Sequence, residues 1–252
     1  MTPQPASLST ENLFLRFGGL LATNDVNFEV RPGDLHAIIG PNGAGKTTLI
    51  SLLAGDRKPT SGTIRLNGED ITAVPPYERA KKGFGRSFQI TSIFREFTTL
   101  QNVMLAIRAR EGRNFRFFKS IADDPAVVEP AREILQRLGL AERMNVRASE
   151  LAHGEKRSLE LAIALATRPS LLLLDEPTAG MGPDEASHIV NFLRTRKGSV
   201  TMVLIEHDMD AVFSLADRIS VLVYGKIIAT GTPPEIRNNA DVRRAYLGDD
   251  EA

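Results

Sequence analysis

Apolar positions along the 252-residue chain fall into two kinds of pattern. Short strand-like runs occupy residues 14–17, 26–30 and 35–39, with Gly18-Gly19 and the turn Arg31-Pro32-Gly33-Asp34 between them. A glycine-rich stretch follows over residues 40–46. Residues 47–54 then set Leu49, Leu52 and Leu53 at helical spacing, and Gly55 stops them. A strand over 63–66 runs into Asn67-Gly68, the strongest hairpin signal in the chain. Residues 84–88 read as another strand.

From residue 98 to 168 the period changes to that of helices. Val127, Val128, Ala131, Ile134, Leu135 and Leu138 recur near 3.6 residues, and Gly139 ends the stripe. Strands resume at 171–174, 200–205, 219–223 and 226–229, with helices at 185–196 and 209–216. Several of these strands are near-continuous apolar runs, as expected where a parallel sheet is covered on both faces. The pattern predicts an α/β fold in one domain, 1–252. A core with a β subdomain comes from 1–97 and 169–252, and a helical insertion from 98–168. There is no internal repeat or heptad series, and only the acidic tail at 249–251 suggests disorder.

Charge and composition narrow the function. Lysine plus arginine (31) balances aspartate plus glutamate (31), so no net basic field holds nucleic acid or anionic lipid nonspecifically. The absence of cysteine excludes disulfides, thiolate metal sites and cysteine nucleophiles. No apolar run approaches the ~18–20 residues that span a bilayer, and residues 1–12 lack the features of a signal peptide. The expectation is a soluble, cytoplasmic chain whose membrane role, if any, needs spanning helices from another polypeptide.

Two segments carry candidate chemistry. Gly40-Pro41-Asn42-Gly43-Ala44-Gly45-Lys46-Thr47 matches G-x-x-x-x-G-K-[ST] between a strand and a helix. Glycines let backbone N–H groups turn inward around a polyphosphate, and the helix aims its positive end at the same anion. Lys46 is placed to reach the β- and γ-phosphates, and the Thr47 hydroxyl to ligate Mg²⁺. Leu171-Leu172-Leu173-Leu174-Asp175-Glu176 puts two carboxylates at the end of a buried strand, where α/β proteins bind ligands. Asp175 would hold Mg²⁺, and Glu176 would orient and deprotonate an attacking water.

With the motifs that follow, the chain resembles ATP-binding-cassette ATPases over residues 8–248. Gln89, after Arg86-Ser87-Phe88, matches the Q-loop. Leu151-Ala152-His153-Gly154-Glu155 stands at the signature position, Asp175-Glu176-Pro177-Thr178 matches the extended Walker B motif, and His207 the switch histidine. The resemblance implies a P-loop fold with a mixed sheet, an antiparallel β subdomain and an inserted α-helical subdomain. It implies ATP and Mg²⁺ as cofactors. Residues 40–48, Thr48 included, would hold phosphates, and Gln89 would contact Mg²⁺ and relay to the helical subdomain. His207 would bond the γ-phosphate. Phe17 would stack on adenine, the alternative being a core phenylalanine.

Ala152, His153, Gly154 and Glu155 would contact ATP held by a second chain. One phosphate loop and one signature per chain require two chains, identical or paralogous. Ala152 lacks the usual serine hydroxyl, His153 replaces a glycine and Glu155 a glutamine, while Gly182 stands in place of the D-loop aspartate. His36, His153 and His188 are read as structural.

Within the family the similarity is to bacterial branched-chain amino acid uptake ATPases. It is carried by residues 83–89, Ala179-Gly180-Met181, residues 205–209, and the tail at 231–236 and 244–248. Urea-type and lipopolysaccharide-export ATPases resemble it too. The implied partners are a membrane permease, gripped by a groove over residues 90–97, and indirectly a solute-binding protein, at the inner face of the membrane. Arg108, Arg110, Arg113, Arg116 and Lys119 interleave with Phe115, Phe117 and Phe118. A solvated face is the favoured reading there, over nucleic acid or a membrane partner. A soluble ATPase acting on DNA or ribosomes is the rival class.

Overall fold

Strands β1 (Leu8–Phe17) and β2 (Leu20–Val30) form a long antiparallel hairpin around Gly18-Gly19. Both are longer than the apolar runs at 14–17 and 26–30 predict. Leu8, Thr10 and Leu13 point inward while Ser9 and Glu11 point out, so the period is that of a half-buried strand. Register shifts between Thr10 and Leu15 break the alternation, with Asn12 at φ 46°. β4 (Ser61–Leu66) pairs with β1 and turns into β5 (Glu69–Asp70). Asn67 and Gly68, at φ 50° and 81°, make the expected hairpin turn. This sheet has the order β2-β1-β4-β5.

The second sheet is built on β3 (Leu35–Ile39), β7 (Leu171–Asp175) and β8 (Thr201–Ile205), every residue of which is buried. With β6 (Phe84–Arg86), β9 (Arg218–Val223) and β10 (Lys226–Gly231) the order is β10-β9-β3-β8-β7-β6. β3 runs parallel to β8 and β9, and β7 parallel to β8, while β10 is antiparallel to β9. The sheet is therefore mixed, as the family resemblance implies. Ile38 and Asp175 both align with Ile205, so β3, β7 and β8 end level with one another. The loops that leave them share one edge of the sheet.

This computed structural model describes residues 3–86, 93–110 and 124–247. The chain divides into two compact units: Gln4–Phe84, Ser170–Glu176 and Arg196–Ala252 in one, Gly85–Pro169 and Pro177–Thr195, with residues 1–3, in the other. In the first, helix α1 (Lys46–Ala54) buries Leu49, Leu52 and Leu53 in a cluster with Leu8, Val26, Ile38, Ile64, Leu173 and Val203. Each such side chain contributes about 1.5–3 kcal/mol by leaving water. Helix α2 (Pro76–Lys81) closes the cluster with a side chain that is not apolar: Arg79 is 1% exposed.

In the second unit, α3 (Thr99–Arg110), α4 (Pro125–Arg137) and α5 (His153–Ala166) pack through Val103, Ile107, Val127, Ala131, Leu135 and Leu159. Asp124 caps α4 by accepting from Ala126 N and pairs with Arg108. Arg110 donates to Ala166 O at 3.5 Å, and residues 111–119 of the Arg/Phe cluster lie outside the described residues, as does the acidic tail. Helix α6 (Pro183–Arg196) follows β7, and α7 (Met209–Leu215), α8 (Pro233–Asn238) and α9 (Ala240–Leu247) complete the chain. Among the described residues no helix is long and apolar enough to cross a membrane.

Candidate functional site: a phosphate cradle facing two carboxylates and a histidine

The loop from β3 to α1 has room for glycine alone at two positions. A Cβ on Gly40 would lie 2.0 Å from Leu222 O, and one on Gly45, at φ 103°, would lie 2.5 Å from Ala22 O. Both neighbours are backbone and cannot step aside. The loop is held as a concave turn by Ala44 N donating to Pro41 O at 3.2 Å and Gly225 N donating to Ala44 O at 2.8 Å. Gly45 caps α1 and brings no side chain to its first N–H groups, so the helix turns bare donors toward the concavity. Gly43 has nothing within 4 Å of its would-be Cβ. Thr47 is exposed and Thr48 half-buried on the first turn.

Lys46 spans the loop, its Nζ donating to Gly40 O at 2.7 Å and Pro41 O at 3.0 Å. Burial pushes its pKa below the ordinary lysine range, against the opposing pull of Glu176 and Asp175. Asp175 ends β7 and is 1% exposed. Glu176 follows in the left-handed region at φ 50°, its N–H donating to Ile205 O at 2.9 Å. A non-glycine residue in that region costs on the order of 1 kcal/mol or more, and such strain concentrates at functional sites. Two residues beyond β8, His207 donates from Nε2 to Glu176 Oε1 at 2.6 Å. Glu206 anchors the turn by accepting from His207 N at 3.0 Å.

Lys46, Thr47, Asp175, Glu176 and His207 thus come together from three level strand ends. Among the described residues no cluster of three or more His, Cys, Asp or Glu could hold a metal alone. One buried carboxylate and a hydroxyl suit Mg²⁺, which takes oxygen ligands and completes its shell with phosphates and water. The donor set and the Cβ-intolerant cradle fit a nucleotide with Mg²⁺.

Phe17 is 42% exposed at the end of β1, so it is not the core residue that the alternative reading required. The guanidinium of Arg57 lies 5.0 Å over its ring. Gln89 falls outside the described residues.

The signature residues open α5 in the other unit. Ala152 caps it without a side-chain acceptor, and Glu155 reaches back to accept from Ala152 N at 2.8 Å and from Arg143 Nε at 2.7 Å. Burial disfavours the carboxylate of Glu155, but these donors outweigh it and hold the pKa below the usual range. A Cβ on Gly154 would lie 2.4 Å from Glu185 Oε2, the tip of an exposed side chain that can swing aside. His153 is exposed, with its ring beside Gly180, where a Cβ would lie 2.9 Å from Cδ2. His36 is buried, bonded to Ser220 Oγ at 2.9 Å.

Two polar residues that sequence reasoning missed shape the surroundings. Arg79 donates to the carbonyls of Leu52, Leu53, Ile71, Thr72 and Val74, at 2.6–3.2 Å, and so caps the C-terminus of α1. Asn102 is 2% exposed on α3. It accepts from Phe94 N at 2.8 Å and donates to Phe94 O and Thr98 O, both at 3.0 Å. It thereby fixes a loop that presents Phe94 and Phe97 stacked at 5.5 Å, both exposed. An arginine after Pro-rich turns and an asparagine inside a helix were the only signals.

Comparison with known proteins gives the family. The chain is 41% identical over 251 residues to the high-affinity branched-chain amino acid transport ATP-binding protein LivG of Escherichia coli K12, covering 96% of this chain and 98% of that one. It is 42% identical to BraF of Pseudomonas aeruginosa, a protein of the same description, with the same two coverages. A crystal structure of MJ1267, an ATP-binding cassette of an ABC transporter in its ADP conformation, matches with a TM-score of 0.81 at 33% identity. That match covers 98% of this chain and 100% of that one. Residues 226–252 match the branched-chain amino acid ATP-binding cassette transporter family, and residues 23–179 match the ABC transporter family. The chain belongs to the ATP-binding-cassette transporter ATPases.

Proposed function

We propose that this chain is the ATP-hydrolysing subunit of an importer of branched-chain or related amino acids. The observation that carries the ATPase reading is the convergence of Lys46, Asp175, Glu176 and His207 at one sheet edge. The solute class is supported by the match at 226–252 and by the names of the relatives.

In this reading the amides of Gly43, Gly45 and Lys46, with Thr48, bind the phosphates, and the Lys46 ammonium leaves the Gly40 and Pro41 carbonyls for the β/γ oxygens. Thr47, Asp175 and Gln89 would hold Mg²⁺, which supplies charge neutralisation of the phosphates when bound. Glu176 accepts a proton from the attacking water. The water oxygen bonds to the γ-phosphorus, the bond to the β–γ bridging oxygen breaks, and ADP and phosphate result. His207 orients Glu176 and donates to the γ-phosphate.

Ala152, His153, Gly154 and Glu155 contact nucleotide bound by a second chain, identical or paralogous, because each chain has one cradle and one signature. The absent serine hydroxyl forfeits a hydrogen bond worth ~0.5–1.5 kcal/mol, or up to ~3 to a charged group. Phe94 and Phe97 present an apolar surface to a cytoplasmic helix of a membrane permease, and the chain works at the inner face of the membrane beside it. A solute-binding protein acts only through the permease.

The test is reconstitution. Glu176→Gln chains, purified with the permease, should trap an ATP-bound pair of ATPase subunits and abolish leucine uptake into vesicles. A chain that stayed monomeric with ATP and permease present would overturn the reading.

A further inference from the structure

We infer that Arg57 is a positioning residue for the nucleotide base, covering one face of the Phe17 ring and leaving the opposite face to the purine. This rests on the reading of Phe17 as the residue that stacks on adenine. The guanidinium carbon lies 5.0 Å from the ring centroid, within cation–π range. Arg57 and Phe17 are both exposed, so the stack lies at the surface beside the cradle's helix. A cation on one face draws π density toward it. The other face then repels the π cloud of a stacked purine less, and the ring is held against tumbling.

The backbone places this stack in fixed relation to the phosphate cradle. Arg57 N donates to Ser51 O at 3.2 Å, which ties it to the helix whose first turn begins at Lys46. Three residues on, Thr60 N donates to Phe14 O at 2.7 Å, and Thr60 Oγ1 accepts from Arg16 N at 3.1 Å. The loop 56–60 therefore runs from the end of α1 to the strand that ends in Phe17. One short helix orients the phosphate donors at its start, and at its end the residue that backs the base-stacking ring.

Titration of ADP and of inorganic pyrophosphate into Arg57→Ala, Arg57→Lys, Phe17→Ala and the double variant tests this. Arg57→Ala should weaken ADP by about two- to fivefold and leave pyrophosphate unchanged. Arg57→Lys should recover part of the loss, and Arg57→Ala should add nothing in the Phe17→Ala background. Equal losses for ADP and pyrophosphate, or a full Arg57 effect without Phe17, would overturn the proposal. If Phe17→Ala left the ratio of the two affinities unchanged, the base-stacking reading itself would fail. Unchanged ADP binding in Arg57→Ala alone, with Phe17→Ala impaired, would remove only the role of Arg57.

Discussion

His207 and Glu176 meet beyond the ends of two adjacent parallel strands, the imidazole Nε2 2.6 Å from the carboxylate Oε1. A carboxylate can only accept, so Nε2 is the donor in this contact. The contact depends on the left-handed turn at Glu176, which redirects the carboxylate after Asp175 has entered the interior. Glu176→Gln should lower single-turnover ATP hydrolysis by roughly 10²–10⁴-fold, the range of general-base catalysis, with nucleotide affinity retained. His207→Ala should lower it similarly. Hydrolysis within a factor of a few of the parent in both would exclude the pair from the chemistry.

Lys46 is held by two carbonyls and disfavoured by burial, so its interactions in the chain alone offset its desolvation poorly. Lys46→Ala should leave the thermal midpoint without nucleotide unchanged or slightly higher. The rise that ATP gives the parent, a linkage effect of binding to the folded state, should disappear. An undiminished rise would show that the phosphates are held elsewhere.

Much of this was legible because the governing interactions are local. The phosphate loop is a contiguous string, although the backbone that requires its glycines, Leu222 O and Ala22 O, is distant in sequence, and the buried strands 171–175 and 201–205 announce themselves as apolar runs. The long β1–β2 hairpin was under-read because its alternation is interrupted by bulges near Asn12. Arg79 and Asn102 were invisible for a different reason. Their partners are backbone carbonyls and amides, which leave no mark in side-chain identity, and for Arg79 they lie up to 27 residues away. Motif order named Glu176 and His207 separately, 31 residues apart; their direct contact, and the strand register that makes it possible, became visible only in the fold.

Arg79 is a buried cation whose hydrogens are spent on carbonyls, and burial pulls its pKa down to about 10. Arg79→Met keeps the volume and leaves the carbonyls of Leu53 and Ile71 without this donor. A loss of about 3 kcal/mol is expected in urea unfolding, the range for breaking a buried charged network. Arg79→Lys should recover only part, since one ammonium cannot fork to both ends of the cluster. Stability within roughly 0.5 kcal/mol of the parent would contradict the capping role.

Asn102 closes the loop that bears Phe94 and Phe97. Asn102→Leu should cost about 1–3 kcal/mol, because Phe94 N and O lose their partner. With the permease bound, it should also separate the two activities, ATP hydrolysis persisting while solute-stimulated turnover falls. Equal losses of both would assign Asn102 to the fold alone.

His36 gives the fold an acid limb. Burial, aided by the charge of Arg218, lowers its pKa from 6.5 to about 4, while the backbone carbonyl of Glu29, which accepts from the ring, opposes this. Above pH 6.5 the ring is neutral in both folded and unfolded chains and contributes no pH dependence. Between pH 6.5 and about 4 the unfolded chain binds a proton that the folded chain refuses, so stability falls as pH falls. The full loss is about 3 kcal/mol, each tenfold weakening of proton affinity being worth about 1.4 kcal/mol. His36→Gln, which can still donate to Ser220, should flatten the unfolding free energy over that window while leaving the carboxylate-driven decline at lower pH. Parallel curves for the parent and His36→Gln between pH 4 and 6.5 would mean that the proton is taken up elsewhere.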